Sequence, residues 1–482
     1  MTAKSTLQFT NSSSDQTVVL AGSGIVNLIT GYYLVKSGYS IRIFDRGPDP
    51  ITTPNRSILG CSAGGGDSRV FSLNEARNHF LNSRHYEGEV VSPFKRTIAE
   101  DGYLAVLPSS LNDRDLKWNE RFETVTRSLA VRFNEDIISF NRESEPLWRE
   151  MISLHPGLFQ KSGFLPGLFR IYATEEKFAR AQAAEQAIGS IKRILNPVEL
   201  LKELPALQDA WAANLIAGAM EVEGFSVNIH RLVDNLIAYL ASQGAEFHWQ
   251  TQIEGIERDQ HGLVQGLTAG GQKIEACHYV VSIGAYSQKL LGGFLSADAV
   301  APVIGLWLTI PNKTPLLNHP LKVSRSGFAS KGAAEGANVV PGVDHAGRPV
   351  VHVSSGHGYI GFEHELRPYR DTLGLGRAVE ETVRNLFPKA DWLSDALQAA
   401  KSEEMKTCVR PWTATGLGIF ESTQTDRGGS FVITGGHNTG GFAQSPAVAM
   451  AVLASLENRV HPMHTLYHPQ RLETALRNEH SA

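Results

Sequence analysis

Cysteine is scarce in this chain. The three residues, Cys61, Cys277 and Cys408, are odd in number and show no C-x-x-C or other metal-ligand spacing. That argues against a disulfide framework and against a metal site, and it fits a reducing, cytoplasmic setting. Long apolar runs are missing too. No stretch reaches the ~18 apolar residues of a membrane-crossing helix. Residues 1–16 lack both the basic segment and the apolar segment of a secretory signal and read as a flexible tail. Neither sign of charge is in excess: 45 Lys and Arg stand against 49 Asp and Glu, a net charge of -4. Composition therefore gives no reason to expect a nucleic acid or an anionic membrane as partner. No internal repeat of solenoid period is present. With 482 residues, 42% of them hydrophobic, the chain is long enough for two or three globular domains.

What is present begins with residues 17–46, TVVLAGSGIVNLITGYYLVKSGYSIRIFDR. Val18, Val19 and Leu20 form a short apolar run suited to a strand buried on both faces. Gly22 permits a tight turn, and Gly24 removes the side chain that would keep a pyrophosphate from the following helix N-terminus. Ile25, Leu28, Ile29, Tyr32 and Tyr33 give that helix an apolar face, and Gly38 ends it. Asp45, closing the second strand, is placed to accept from ribose hydroxyls. The third fingerprint position, usually Gly or Ala, is Asn27. This is a dinucleotide-binding βαβ unit, and by itself it does not choose between NAD and FAD.

Further along, residues 47–72 are rich in Pro, Gly and Ser, as backbone lying close to a flat ligand needs to be. Helical spacing predicts a helix over 126–153, a strand over 168–173 followed by a helix capped by Thr174, and a helix near 197–203. The segment 226–258 reads as an amphipathic helix ending at Gly244 and then two strands. A strand at 278–284 leads into Ala285. These are parts of the second half of a nucleotide-binding sheet, so that domain is expected to be interrupted. Alternating strands such as GLWLTIP and RPVVHVSSG, with a helix through Leu373 to Leu386, suggest a separate substrate sheet. Near the C-terminus a strand, FVIT, runs into GGHNTGG at 435–441, and a helix is expected from Ser445 with Pro446 as its first residue.

The combination of GSGIVN with Asp45, GDSR at 66–69, VVSIGAYSQKLL at 280–291, VRPWTATG at 409–416 and GGHNTGGFAQSP at 435–446 resembles the FAD-dependent D-amino acid oxidase superfamily. Its D-amino acid dehydrogenase and monomeric sarcosine oxidase branches are the most similar. The resemblance implies an α/β fold, with a Rossmann-like FAD-binding domain of the glutathione-reductase type and an inserted mixed-sheet substrate domain. The expected division is 17–85, 205–292 and 405–475 for FAD, with 86–204 and 293–404 for substrate. It also implies that Gly22, Gly24, Ile25, Asp45 and Arg46 hold the diphosphate and adenosine ribose, that Ile253 offers backbone to the adenine, and that Gly284 and Ala285 pass near the diphosphate. Gly65, Gly66 and Arg69 would run along the isoalloxazine ring. The loop of Gly436, His437, Asn438, Thr439, Gly440 and Gly441 would cover its pyrimidine edge, where a helix dipole favours negative charge.

By the same resemblance Arg410 would fork around a substrate carboxylate, a task suited to a permanently charged planar group. Its alternative is a structural ion pair. Cys408 stands where the sarcosine oxidase branch links FAD covalently and where the dehydrogenase branch has glycine, so both modes of attachment stay open. His357, Tyr359 and His437 are further candidates for the catalytic pocket. Departures from the family pattern are Asn27, Thr415 for an aspartate, Ser72 for an arginine, Asn438 for a glycine, and no identifiable oxygen-activating lysine. The expected activity is oxidation of the carbon-nitrogen bond of an amino acid or related secondary amine to an imine, by hydride transfer to flavin N5. The final electron acceptor would be O2 or another oxidant. The alternatives are an NAD-dependent dehydrogenase and a flavin-holding partner protein that has lost activity.

Overall fold

A computed structural model describes residues 16–56, 59–60, 62–64, 68–76, 93–286, 289–325, 333, 336–344, 346–363, 372–389, 392 and 405–480. The expected tail, apart from Gln16, lies outside these residues, as do Cys61, Gly65 and Gly66.

The first sheet grows from the apolar run after Gln16. Strand β1 (Thr17–Ala21) pairs in parallel with β2 (Ser40–Phe44) on one side and with β11 (His278–Val281) on the other. β7 (Glu246–His248) extends the sheet beyond β2, while β18 (Ser430–Gly435) and the antiparallel β17 (Ile419–Gln424) complete it beyond β11. Strands distant in sequence thus meet in the order β17-β18-β11-β1-β2-β7. Val18 and Leu20 project into a core with Leu28, Ile29 and Tyr32 of the helix Ile25–Lys36 and with Val448 and Val452 of the helix Gly441–Leu456. Val19 and Ala21 project the other way, against β8 (Gly255–Arg258), β9 (Val264–Ala269) and β10 (Gln272–Ile274), a three-stranded antiparallel sheet. Covering both faces in this way is what allows a parallel sheet to be apolar throughout.

The second sheet has nine strands. Its path is β16 (Met405–Thr413), β12 (Val300–Pro311), β15 (Pro349–Tyr359), β14 (Gly336–Val343), β13 (Leu321–Ser324), β4 (Leu165–Tyr172), β6 (Gly218–Asn228) and β3 (Ser68–Ser72), with β5 (Ile191–Leu195) paired to β6. Leu308, Ile310, Val351 and Val353 pack one face against Val379, Val383 and Leu386 of the helix Thr372–Leu386. The sheet is strongly curled. The Arg69 guanidinium on β3 lies 5.4 Å from the Trp307 ring on β12, although six strand spacings separate the two strands. In a flat sheet those spacings amount to roughly 29 Å. The concave face is the one turned away from the Thr372–Leu386 helix.

One expected boundary is wrong. The C-terminal helix begins at Gly441, not Ser445, so Pro446 is its sixth residue and not its first. Tertiary hydrogen bonds with the helix Arg127–Leu154 make this possible. Strands β3, β6 and β16 belong to the nine-stranded sheet, although the expected division had grouped them with the nucleotide half. No described helix is long and apolar enough to cross a membrane.

Candidate active site

A continuous cavity of about 2020 Å³ runs from the ends of β1 and β2 to the concave face of the nine-stranded sheet. It is lined by Gly22, Gly24, Ile25, Asp45, Arg46, Arg69, Ile253, Gly284, Ala285, Cys408, His437, Asn438, Thr439 and Gly441 of the expected cofactor residues. Gly436 and Gly440 are not in its wall. They shape the loop instead: a Cβ at Gly436 would strike Thr413, and one at Gly440 would come within 2.7 Å of Ala76.

The nucleotide end is built from backbone. Gly22 has φ +94°, and a Cβ there would lie 2.8 Å from the Ser282 carbonyl, so the turn requires glycine. Gly24, at the N-cap of the helix, has open space where a side chain would begin and no side-chain cap. The helix therefore presents uncapped amides to the cavity, a device suited to a diphosphate. Asp45 accepts from the Ser23 amide, the Ser23 hydroxyl and the Gly47 amide, all at 2.7 Å. The Arg46 guanidinium stacks 4.0 Å from the Tyr286 ring. Asn27 replaces close packing with hydrogen bonds, its amide donating to the carbonyls of Ala21 and Gly22 at 2.8 Å each. A second helix, Gly441–Leu456, also starts at the cavity wall without a side-chain cap. These features fit a molecule with the length and two anionic regions of FAD.

At the other end, alternation along β16 places Cys408 and Arg410 on the same face. Both line the cavity. Gly305 on β12 makes room for the arginine, since a Cβ there would collide with the guanidinium. The β12–β15 register shifts at this point, between Ile304 and Leu306, a bulge that re-aims neighbouring side chains. Arg410 Nη1 donates to the Gly356 carbonyl at 2.8 Å and to His357 Nδ1 at 3.3 Å. Because arginine only donates, His357 Nδ1 is the acceptor, and its proton is on Nε2. Among the described residues Arg410 has no carboxylate partner.

His437 is buried, and desolvation pushes its pKa down to about 4, so the imidazole is neutral near pH 7. Tyr359 is displaced from its expected place. It does not line the cavity, and its hydroxyl donates to Asp115 Oδ1 at 3.0 Å inside an aromatic cluster with Phe94 and Trp118. Thr415 is likewise outside the cavity wall, in the turn after β16, where its hydroxyl accepts from the Leu417 amide at 3.3 Å.

Sequence reasoning missed Trp307, whose ring lies 5.4 Å from Arg69 and 5.8 Å from Arg410. It also missed four charged residues on the cavity wall: Glu75, Arg170 and Glu185, which are buried, and Lys322, which is half-buried. The available signal was a single charged residue inside an apolar strand, as in LFRIY and LKVS.

The model of the FAD dependent oxidoreductase family matches residues 17–455, and the chain belongs to that family. It is an oxidoreductase, and the family selects FAD over the nicotinamide alternative. Solved structures share the fold. Glycine oxidase from Bacillus cereus ATCC 14579 is 16% identical, with 93% of this chain and 97% of that chain covered and a TM-score of 0.60. Fructosamine oxidase from Aspergillus fumigatus is 14% identical, with coverage of 96% and 92% and a TM-score of 0.58. Iminodiacetate oxidase from Chelativorans sp. BNC1 is 14% identical, with coverage of 94% and 98% and a TM-score of 0.58. The expected fold class, a Rossmann-like FAD-binding half with a mixed-sheet half, is the one observed.

Proposed function

We propose that this enzyme oxidises the carbon-nitrogen bond of an amino acid or related, including secondary, amine to an imine. The observation that carries this reading is the Arg410 guanidinium, which faces the cavity with no carboxylate partner among the described residues. A substrate carboxylate supplies the missing counter-charge in bidentate form. FAD, when bound, supplies the two-electron acceptor to which the hydride passes. Gly22, Gly24, Ile25, Asp45, Arg46, Ile253, Gly284 and Ala285 would hold its adenosine and diphosphate portion, and the loop 436–441 its ring edge. The Gly356 carbonyl and His357 hold Arg410 in one orientation, which fixes the substrate's amine-bearing carbon relative to the cavity wall. His437 contributes a neutral buried surface there, not a positive charge. The names of the structural neighbours, which are amine and amino acid oxidases, support the same substrate class. The division into FAD and substrate units belongs to this proposal, as do the cytoplasmic setting and O2 or another oxidant as final acceptor.

The test is anaerobic addition of a panel of amines and amino acids to the purified flavoprotein, followed by air. Bleaching of the flavin absorbance identifies the substrate, and its return in air identifies O2 as acceptor. Arg410→Ala should raise the half-bleaching concentration of a carboxylate substrate on the order of 100-fold while flavin stays bound. No bleaching with any member of the panel, or an unaltered response in Arg410→Ala, overturns the reading. Cys408 is in no disulfide among the described residues, and it is buried and in the cavity wall. Acid precipitation decides its role: flavin pelleting with the wild type but released from Cys408→Ala establishes a thioether, and flavin in the supernatant rules it out.

A further inference from the structure

Cross-strand register places Lys406, Trp307, Ser354, Asn338, Lys322 and Arg170 in one row across six adjacent strands. Paired residues project to the same face, so the row crosses the concave side of the sheet. Trp307, next to Lys406 at one end of it, lies beside Arg410. Ser354, Asn338, Lys322 and Arg170 line the cavity toward the other.

The charges at that far end are arranged unequally. Glu75 Oε2 accepts from Lys322 Nζ at 2.6 Å and from Ser72 at 3.2 Å. Glu185 is held by Asn74 and Ser190 and lies 3.4 Å from Arg170 Nε. Arg170 is further engaged by Asn74 and Ser72. Both carboxylates are therefore well supplied with donors, and Arg170 is held by Glu185, Asn74 and Ser72, although its buried Nε makes no hydrogen bond among the described residues. Lys322 is engaged least: of its three N–H groups, one finds a partner among the described residues. Asn338 and Ser354, its neighbours in the row, make no side-chain hydrogen bond among the described residues, and Ser354 is only 8% exposed. Lys177 donates to the Arg325 carbonyl at 2.6 Å and lines the same end of the cavity, a third cation against the two carboxylates. Burial pulls the Lys322 ammonium below the ordinary lysine range, with Glu75 offsetting part of that cost, and a second anion would offset more.

We propose that Lys322, with Asn338 and Ser354, forms a second recognition subsite that binds a carboxylate at the end of the substrate remote from Arg410. This rests on the amine-oxidation reading and narrows its substrate class to amino or imino acids with two carboxylates. The experiment compares anaerobic flavin reduction by 2-aminodicarboxylic acids of increasing chain length with their ω-amide and ω-methyl analogues. In the wild type, one chain length should show half-saturation at least tenfold lower for the dicarboxylate than for its ω-methyl analogue. Lys322→Met should bring that ratio close to one, and Lys322→Arg should restore part of it. Because Lys322→Met strands Glu75 in a buried site, the double variant Glu75→Gln with Lys322→Met, which removes both charges, is measured alongside. A wild type without preference, or variants that lose equally on both analogues or lose limiting rate instead, overturns the subsite. If no amine reduces the flavin, binding of straight-chain dicarboxylates is followed by the shift of the flavin spectrum. Binding that depends on Lys322 then retains the subsite while amine oxidation fails, and binding indifferent to Lys322 removes the subsite.

Discussion

Asn438 shows how one residue can depart from a pattern and still serve it. Its φ of +52° is the left-handed conformation that glycine adopts freely and asparagine tolerates best among the other residues. Its side chain then ties the glycine loop to β16 and the following turn, accepting from the Thr413 amide at 3.0 Å and donating to the Gly416 carbonyl. Asn438→Ala combines the left-handed penalty with two lost hydrogen bonds and should cost about 2 to 3 kcal/mol. Asn438→Gly, which relieves the backbone, should cost less, and denaturant unfolding of the flavoprotein measures both. His437 predicts a pH dependence. Its folded pKa, about 4, is below its ordinary value of 6.5, so the unfolded chain binds the proton more readily in that interval. The contribution is present above pH 6.5 and is lost as pH falls through 4, on the order of 3 kcal/mol in all. His437→Gln should therefore flatten the fall in melting temperature between pH 7 and 4, and an equally steep fall would refute the assignment. Glycine, aspartate and arginine positions of the site were readable because their chemistry is local or carried by a motif. The functions of Asn27 and Asn438 were not, because their partners are backbone atoms whose positions only folding determines.

The helix Gly441–Leu456 poses the corresponding question for an element. A proline as sixth residue removes one amide donor and crowds the preceding turn, which is why sequence reasoning starts the helix at Ser445. The neighbouring helix Arg127–Leu154 and a local serine repair the damage. Ser445 Oγ donates to the Phe442 carbonyl at 2.8 Å, which would have received the missing Pro446 N–H. Trp148 Nε1 donates to the Ala443 carbonyl at 3.1 Å, and the Ala447 amide donates to Ser144 Oγ at 3.2 Å. Ser144 and Trp148, four residues apart, share one face of their helix and act on the same turn. Ser144→Ala should destabilise the protein by about 1 to 2 kcal/mol by leaving the Ala447 amide buried without a partner. Reduced hydrogen-exchange protection confined to the first two turns of the C-terminal helix would locate the effect. Other elements followed their local signals closely: Thr126 and Thr174 each cap a helix by accepting from an amide three residues on.

For the whole molecule, the decisive property is that one cavity is walled by both sheets. A ligand spanning it joins the nucleotide end to the curled sheet, so its removal should weaken both halves. At one hundred times its dissociation constant FAD adds about 2.7 kcal/mol to the folded state. The flavin-free protein should melt at a lower temperature than the loaded one and regain the difference on adding FAD, which calorimetry checks directly. The sequence by itself determined the βαβ unit and the family, and it singled out Arg410 as a candidate, because turns, apolar periods and motif residues are short-range properties. It did not determine which strands would adjoin. Arg69 meets Trp307, and Lys322 meets Glu75, across gaps of more than two hundred residues, and no local pattern encodes the curl that closes them. Only the tertiary structure decided that Tyr359 serves the core, that Arg410 faces open space, and that a cluster of buried and half-buried charge stands at the far end of the same cavity. The physical reason is that curvature and strand order arise from the packing of the two faces of a sheet, which is a property of the assembled molecule.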